Sequence, residues 1–128
     1  MMKIIYFLKR KTGISPAQFR EHYENSHVLL AKKYIGHLLT DYVRNYPTFA
    51  LLNPSNLKDD TPPSPYDIGY DCITEMFVSG PEAIAEITRI FNDPIVNPIL
   101  VEDELKFLDR DATVMIMVDE VNTGTKVG

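Results

Sequence analysis

A stripe of aromatic and apolar side chains between Ser15 and Gly36 restricts the fold more than any other feature of the sequence. Its five members recur at steps of four, four, three and four residues: Phe19, Tyr23, His27, Leu30 and Tyr34. At about 100° per residue, these side chains fall within roughly 80° of one face of an α-helix. The helix must therefore pack against a second layer, with His27 in the middle of its buried face.

The ends of this helix are also indicated by the sequence. Ser15 is a suitable N-cap, Pro16 suits the first helical position and Gln18 completes a capping box. Gly36 is expected to end the helix in a left-handed conformation. We therefore predict one uninterrupted helix over residues 15–35.

Further regular segments lie on both sides of this helix. Four segments have the composition of strands: residues 3–9, 37–46, 70–78 and about 113–121. A second helix is expected to begin after Ser79, and residues 94–107 are expected to form short helical turns interrupted near Pro98. The order β-α-β-β-α-β predicts an α+β, ferredoxin-like fold, in which an antiparallel four-stranded sheet carries its helices on one face.

The length of 128 residues is typical of one domain, which we assign to residues 1–121, followed by a flexible tail at 122–128. Residues 47–65 contain five prolines and no sustained periodicity, which predicts a loop insertion. Such a long loop in a compact domain is either a lid or binding loop, or a tolerated flexible insertion.

The first and last predicted strands are apolar on both faces, over residues 4–8 and 114–118. Helices on one side of the sheet leave the other face of these strands open to water. A second copy of the same sheet is the simplest cover for that face. The sequence therefore predicts a two-fold homodimer that closes into a shared barrel.

Composition argues against several classes of function. The net charge is −5 and no basic run extends beyond residues 9–11, whereas nucleic-acid binding needs a concentrated positive face. The N-terminal apolar run covers only residues 4–8, which is too short for a signal peptide, and no run reaches membrane-spanning length. The single cysteine, Cys72, cannot form an internal disulfide. We therefore expect a cytoplasmic protein with no nucleic-acid or membrane partner.

Three separated blocks of the sequence resemble the EthD domain family, in particular its fungal-type branch. They are FLKRKTGISPAQFR at residues 7–20 with His27 and Leu30 downstream, YDCITEMF at residues 70–77, and DELKFLDR at residues 103–110. The resemblance implies a dimeric α+β barrel. It also implies a superfamily that includes cofactor-free monooxygenases, polyketide cyclases, dehydratases, decarboxylases and some haem-binding proteins. Members related to this branch are associated with aromatic or polyketide metabolism, and His27 matches the family's helix-one histidine.

His27 is the leading candidate for chemistry. A histidine on the sheet-facing side of the helix can reach a ligand held between the helices and the sheet, where it can act as a general acid or base. The alternative is a buried histidine that is hydrogen-bonded to a carboxylate or a carbonyl group and only fixes the helix to the sheet.

Carboxylates and aromatic side chains supply the other candidates. Asp71 and Glu75 share one face of the third strand at a Cβ separation of ~13 Å, too far apart for a shared-proton pair, but either could orient His27 or act alone as a base. Both could instead form salt bridges or lie at the dimer interface. The candidates for substrate binding are Tyr6, Tyr23, Tyr42, Asn45, Tyr46 and Phe77. Tyrosine rings can line an aromatic cavity while a hydroxyl polarises a carbonyl group, although regularly spaced aromatic residues can also be plain core.

No cofactor or metal ion is expected. His22, His27 and His37 lack the spacing of a metal site, although a lone His27 could bind haem from one side. The sequence favours a cofactor-independent enzyme acting on an aromatic or polyketide-like carbonyl compound, a lyase of the dehydratase, cyclase or decarboxylase type with His27 as acid and base. The alternatives are a non-catalytic binding or accessory protein and a cofactor-free oxygenase.

Overall fold

An antiparallel sheet forms one layer of the fold in the computed structural model, which describes residues 2–54 and 63–125. Its strands belong to a set of six in these ranges: β1 (Met2–Leu8), β2 (Leu39–Asn45), β3 (Leu51–Leu52), β4 (Ser64–Pro65), β5 (Cys72–Val78) and β6 (Val114–Asp119). The main sheet has the order β2, β5, β1, β6 with every neighbouring pair antiparallel, and β3 pairs separately with β4.

Helices form the second layer and cover one face of the sheet. They are α1 (Pro16–His22), a π-helical turn (Tyr23–His27), α2 (Val28–Ile35), α3 (Pro81–Phe91) and α4 (Val96–Glu104). Alternate residues of β5 are buried beneath them: Cys72, Thr74, Met76 and Val78. This period of two is the pattern of a strand with one face on the core. The predicted ferredoxin-like α+β fold is confirmed.

A π-helical turn interrupts the helix that the sequence predicts as continuous. The N-terminal capping box of Ser15 and Gln18 is present as expected, but the N–H group of Val28 bonds to the carbonyl oxygen of Tyr23, five residues back. The extra residue in this turn shifts the buried face of the following helix by one position. The fully buried side chains after the turn are therefore Val28, Ala31 and Ile35, whereas the predicted Leu30 and Tyr34 are half-buried.

Two predicted helix boundaries are also wrong. Gly36 has the right-handed conformation φ −55°, ψ −35° and leads into a short 3₁₀ turn, so no left-handed stop is needed there. Pro98 does not interrupt the segment that contains it, because it is the third residue of α4. Backbone N–H groups in the first turn of a helix have no intrahelical acceptor, so a proline there loses no hydrogen bond.

The loop predicted at residues 47–65 carries the short β3–β4 pairing, which joins Leu51 to Pro65 and Leu52 to Ser64. Residues 55–62 of that loop and residues 126–128 of the predicted tail lie outside the described residues. Within the described ranges, no helix combines the length and the apolar character that crossing a membrane requires.

The sheet face opposite the helices is apolar and accessible at its β6 edge. At the edge strand β6, Val114 and Ile116 point to this outer face, in register with Phe7 and Ile5 of β1, and are 41% and 38% exposed. Met115 and Met117 point to the helix side but lie at the open edge, where they are half exposed. The edge strand is therefore apolar on both faces without cover from the chain's own described residues.

Candidate functional site

A cavity of about 210 Å³ lies between the helices and the sheet. Four of the predicted site residues line it: Tyr6, Tyr23, His27 and Tyr42. The remaining lining residues come mainly from α4 and the segment after it, including Leu100, Val101, Glu104, Phe107, Leu108 and Arg110. The wall is mostly apolar with a few polar groups, which is the usual character of a small-molecule site.

Asp103 holds His27 at this cavity. The Oδ2 atom of Asp103 accepts a hydrogen bond from Nδ1 of His27 at 3.0 Å, while Oδ1 accepts from Nε2 of His22 at 3.0 Å and from Oγ of Ser26 at 2.7 Å. Asp103 is only 6% exposed and comes from α4, whereas its three partners come from α1 and the π-helical turn. One buried carboxylate thus joins the two helical segments.

The contact with Asp103 fixes which ring nitrogen of His27 is anchored and which is left unbonded. An ionised carboxylate can only accept hydrogen bonds, so Nδ1 of His27 must carry a proton. In the neutral ring, Nε2 then keeps its lone pair, and no hydrogen bond joins Nε2 to another described residue. Phe107 packs against the imidazole with a ring separation of 5.2 Å. His27 is therefore a held imidazole with a free basic nitrogen.

Opposing effects act on the pKa of Asp103. Burial alone would raise this pKa, but the hydrogen bonds from Ser26, His27 and His22 together outweigh burial and hold it below its ordinary value. The carboxylate is therefore ionised throughout the neutral range, and it can stabilise a positive charge on either imidazole.

Three tyrosines line the cavity, Tyr6 and Tyr42 from the sheet and Tyr23 from the π-helical turn. The Tyr23 hydroxyl lies 2.6 Å from Oγ1 of Thr74 and 3.1 Å from the Tyr42 hydroxyl. Burial raises the pKa of Tyr23 well above its ordinary value and raises the pKa of Tyr42 to about 12. Burial, assisted by the negative charge of Glu104, also raises the pKa of Tyr6 to about 12. These phenols stay protonated at neutral pH, so they can donate hydrogen bonds to a ligand oxygen.

Replacing Tyr23 with Phe is expected to lower the free energy of unfolding by about 1 to 2 kcal/mol, because Thr74 loses its hydroxyl partner in a buried position. Urea unfolding of the variant and the wild-type protein measures the difference. Tyr34→Phe is the matched control, since no hydrogen bond joins the Tyr34 hydroxyl to a described residue and its removal should cost less than about 0.5 kcal/mol.

Three predicted site residues lie on the other face of the sheet. The expectation that Asp71 or Glu75 orients His27 is wrong, because alternation along β5 turns both away from the helices. The Asp71 carboxylate accepts a bond from the backbone N–H group of Arg10, and Glu75 forms a salt bridge with Lys3 at 2.7 Å. Phe77 lies under the Nζ atom of that same lysine, 4.9 Å from the ring centre. Both carboxylates therefore form salt bridges, which was the alternative interpretation of the sequence.

Two further candidates lie at the end of β2, outside the cavity lining. Nδ2 of Asn45 donates to the Ile73 carbonyl oxygen and to Glu75. The Tyr46 hydroxyl donates to Glu24 at 2.5 Å, and Glu24 also receives two hydrogen bonds from Arg44. The Arg44 bonds hold the pKa of Glu24 below its ordinary value. These side chains connect β2 to its neighbours rather than to the cavity.

Sequence reasoning missed Asp103, Glu104 and Arg110 as site residues. All three lie in the block at 103–110 that resembles the EthD family. That resemblance pointed to the block but assigned no role to its residues. His22 was missed as well, because regular α-helical geometry places it well off the buried face that contains His27. The π-helical turn brings both histidines to one carboxylate, and π-helical turns are frequent at functional sites.

Across residues 2–54 and 63–125, no group of three or more His, Cys, Asp and Glu side chains has the arrangement of a metal site. The Asp103 carboxylate is bonded to two imidazole nitrogens, Nε2 of His22 and Nδ1 of His27, and to the Ser26 hydroxyl. Their arrangement is that of a hydrogen-bonded cluster.

A family model described as the EthD domain matches residues 11–111. The chain belongs to the EthD family. Solved structures give the same fold: an EthD family protein from Bacillus halodurans is 18% identical with a TM-score of 0.59, covering 94% of this chain and 100% of its own. An EthD-like protein from Ralstonia eutropha is 13% identical with a TM-score of 0.59, covering 97% and 96%. Among curated proteins, none matches the chain significantly.

A third similar structure adds a description of assembly. A protein of unknown function from Bacteroides fragilis, described as dimeric with a ferredoxin-like fold, is 6% identical to this EthD domain. Its TM-score is 0.54, and the match covers 93% of this chain and 95% of that one. At these identities the likeness establishes the fold.

Proposed function

We propose that this EthD domain binds a small aromatic carbonyl compound and that His27 moves a proton at the carbon next to the carbonyl group. The observation that carries the proposal is the position of His27: its Nδ1 atom is held by Asp103 while the residue lines the cavity with Nε2 free. A neutral imidazole with one nitrogen anchored by a carboxylate is a common form of general base.

The proposed step uses groups that this chain supplies. Nε2 of His27 takes a proton from the carbon next to the ligand's carbonyl group, and the electron pair of that C–H bond forms the enolate. Asp103 stabilises the resulting imidazolium, and a Tyr6 or Tyr42 hydroxyl donates a hydrogen bond to the enolate oxygen. The imidazolium then returns the proton to carbon, or gives it to a β-hydroxyl group that leaves as water. The second outcome is a dehydration, as expected of a lyase.

The cavity volume supports a compact ligand. A cavity of about 150 Å³ is enough to hold benzene. The volume of about 210 Å³ therefore accommodates one substituted ring or two fused rings. Aromatic walls at Phe91 and Phe107 suit such a ligand.

Deuterium exchange into 2-tetralone, a bicyclic ketone with acidic hydrogens next to its carbonyl group, tests the proposed function. Proton NMR in D₂O measures the loss of those hydrogens with the protein and with an equal concentration of free imidazole. The protein should be faster than imidazole by about 100-fold or more. Binding of 2-tetralone without faster exchange would identify a non-catalytic binding protein instead.

We also propose that the protein is a homodimer joined through the outer face of the sheet. The support is the exposed apolar surface of β6, together with the dimeric description of the Bacteroides fragilis protein of similar fold. A second copy of the sheet would cover this surface, as the apolar patterning of β1 and β6 predicts.

Ile116→Glu is expected to shift the protein from dimer to monomer, because it places a charge in the proposed interface. Sedimentation velocity at micromolar concentration measures the change. Ile95→Glu is the control, because Ile95 is 76% exposed next to α4 and should tolerate a charge without affecting assembly. A monomeric wild-type protein would contradict the proposed dimer.

A cytoplasmic location and a role in polyketide metabolism are further parts of the proposal. The single cysteine is a free thiol in the core, and burial raises the pKa of Cys72 to about 11. An unreactive, unpaired thiol is compatible with a reducing compartment.

A further inference from the structure

A charged pair lines the cavity at the end of α4. Glu104 is the last residue of that helix and Arg110 begins the 3₁₀ turn that follows. The Arg110 side chain is 46% exposed and the Glu104 side chain 22%. Since Arg110 both contacts the cavity and reaches solvent, this pair lies where the cavity opens.

The Arg110 guanidinium keeps most of its hydrogen-bonding capacity. Its Nε atom lies 3.6 Å from Oε1 of Glu104, which is an ion pair beyond hydrogen-bond distance. No hydrogen bond joins this guanidinium to another described residue. By contrast, Arg44 donates two bonds to Glu24 at 2.9 and 2.7 Å, so it is fully engaged in structure. Arg110 thus has unused hydrogen-bond donors at the cavity.

Arg110 is also the one Lys or Arg side chain among the described residues that line the cavity. Besides Glu104, the rest of the wall offers apolar groups, neutral phenols, the His27 imidazole and the uncharged polar side chains of Asn97 and Thr113. An arginine fork matches a planar carboxylate, with two parallel N–H···O hydrogen bonds. In a cavity with mostly apolar walls, such a pair is screened less by water than on an open surface.

From this geometry we infer that the ligand carries a carboxylate, which binds Arg110 at the cavity mouth while its aromatic ring lies inside. The inference rests on the proposed function and specifies its substrate class as aromatic carboxylates. Glu104 competes with the ligand for Arg110. Its carboxylate pairs with Arg110 in the free protein and is displaced when the ligand's carboxylate binds. Ligand specificity therefore depends on the balance between these two carboxylates.

Binding of 2-naphthoate and 2-naphthamide, which share a ring system and differ in charge, tests this inference by calorimetry. The wild-type protein should bind the carboxylate at least about tenfold more tightly than the amide. Arg110→Gln should weaken 2-naphthoate about tenfold and leave 2-naphthamide within about twofold. Arg89→Gln, which removes an exposed arginine paired with Glu86, is the matched control and should change neither affinity.

Glu104→Gln gives a prediction of opposite sign. Removing the competing carboxylate should strengthen 2-naphthoate binding by about threefold or more, because the Arg110 charge is then unpaired. If the ion pair has only a structural role, breaking it should instead lower the affinity for 2-naphthoate or leave it unchanged.

Equal affinities for acid and amide, or an unchanged 2-naphthoate affinity in Arg110→Gln, would overturn the inference. Failure of both probes to bind at millimolar concentration would also contradict it. Exchange of 2-tetralone, a neutral ketone, does not require Arg110. Loss of the acid preference with exchange intact would therefore reject the carboxylate and leave the proposed function standing. An intact preference for the acid without exchange of 2-tetralone would reject only the proposed proton transfer.

Discussion

Replacing Asp103 with Asn is expected to lower the free energy of unfolding at pH 7 by about 2 to 3 kcal/mol. The buried carboxylate accepts hydrogen bonds from His22, Ser26 and His27, and bonds to a charged group each contribute about 1.5 to 3 kcal/mol. The amide oxygen of asparagine can still accept some of these hydrogen bonds, although it carries no negative charge. The expected loss is therefore smaller than the sum of the three contributions. Urea unfolding of both proteins measures the difference.

The pH dependence of this difference has a definite sign. The pKa of Asp103 is lower in the folded protein than in the unfolded chain, so its stabilising contribution is present above the unfolded value near ~3.9. That contribution is lost as the pH falls through the folded pKa. The wild-type protein and Asp103→Asn should therefore converge in stability toward pH 2. Glu102→Gln, one position away on the exposed side of α4, is the control. Equal stabilities of Asp103→Asn and the wild-type protein at pH 7 would show that the cluster is not formed.

Replacing His27 with Gln is expected to reduce the protein-catalysed exchange of 2-tetralone by about 100-fold or more, to the level of buffer. A positioned general base contributes about 10²- to 10⁴-fold, and glutamine cannot take up a proton at neutral pH. Glutamine is similar in size and can still donate to Asp103, so the fold should be retained. Circular dichroism and urea unfolding check that retention, and NMR measures the exchange rate.

Two other histidine variants make this prediction specific. His22→Gln removes the second imidazole on Asp103 but does not alter the cavity lining, and its rate should fall by less than about tenfold. His37→Gln replaces an exposed histidine in the 3₁₀ turn before β2 and should retain the wild-type rate. A large loss in all three variants would point to a structural cause.

Local patterns were sufficient to predict most of the fold. The β-branched and aromatic composition of β1, β5 and β6 and the Ser15 capping box describe interactions between residues close in the chain, so they can be read directly. The π-helical turn could not be predicted this way. Tyr23 and Val28 at this turn pack in one core cluster with Leu8, Cys72 and Phe107, which lie far away in the sequence.

The candidate site was predictable only in part for the same reason. The side of the helix or strand on which a residue lies was enough to predict that His27, Tyr6 and Tyr42 point inward. The partner of His27 could not be identified, because Asp103 lies 76 positions away on a helix that the sequence predicts as broken turns. Asp71 and Glu75 were the nearest apparent substitutes, but the buried face of β5 is the other one, so both carboxylates lie on the outer face beside Arg10 and Lys3.

The imidazole nitrogen resonances of His27 provide the most direct test of the central claim, that a histidine anchored through Nδ1 presents a free Nε2 to a ligand cavity. Long-range ¹⁵N–¹H NMR on the ¹⁵N-labelled protein identifies the tautomer, and titration with 2-tetralone reports contact with Nε2. We predict the Nδ1–H tautomer in the neutral ring and a shift of the Nε2 resonance on addition of the ketone. An Nε2–H tautomer whose resonances do not respond to the ketone would contradict the claim.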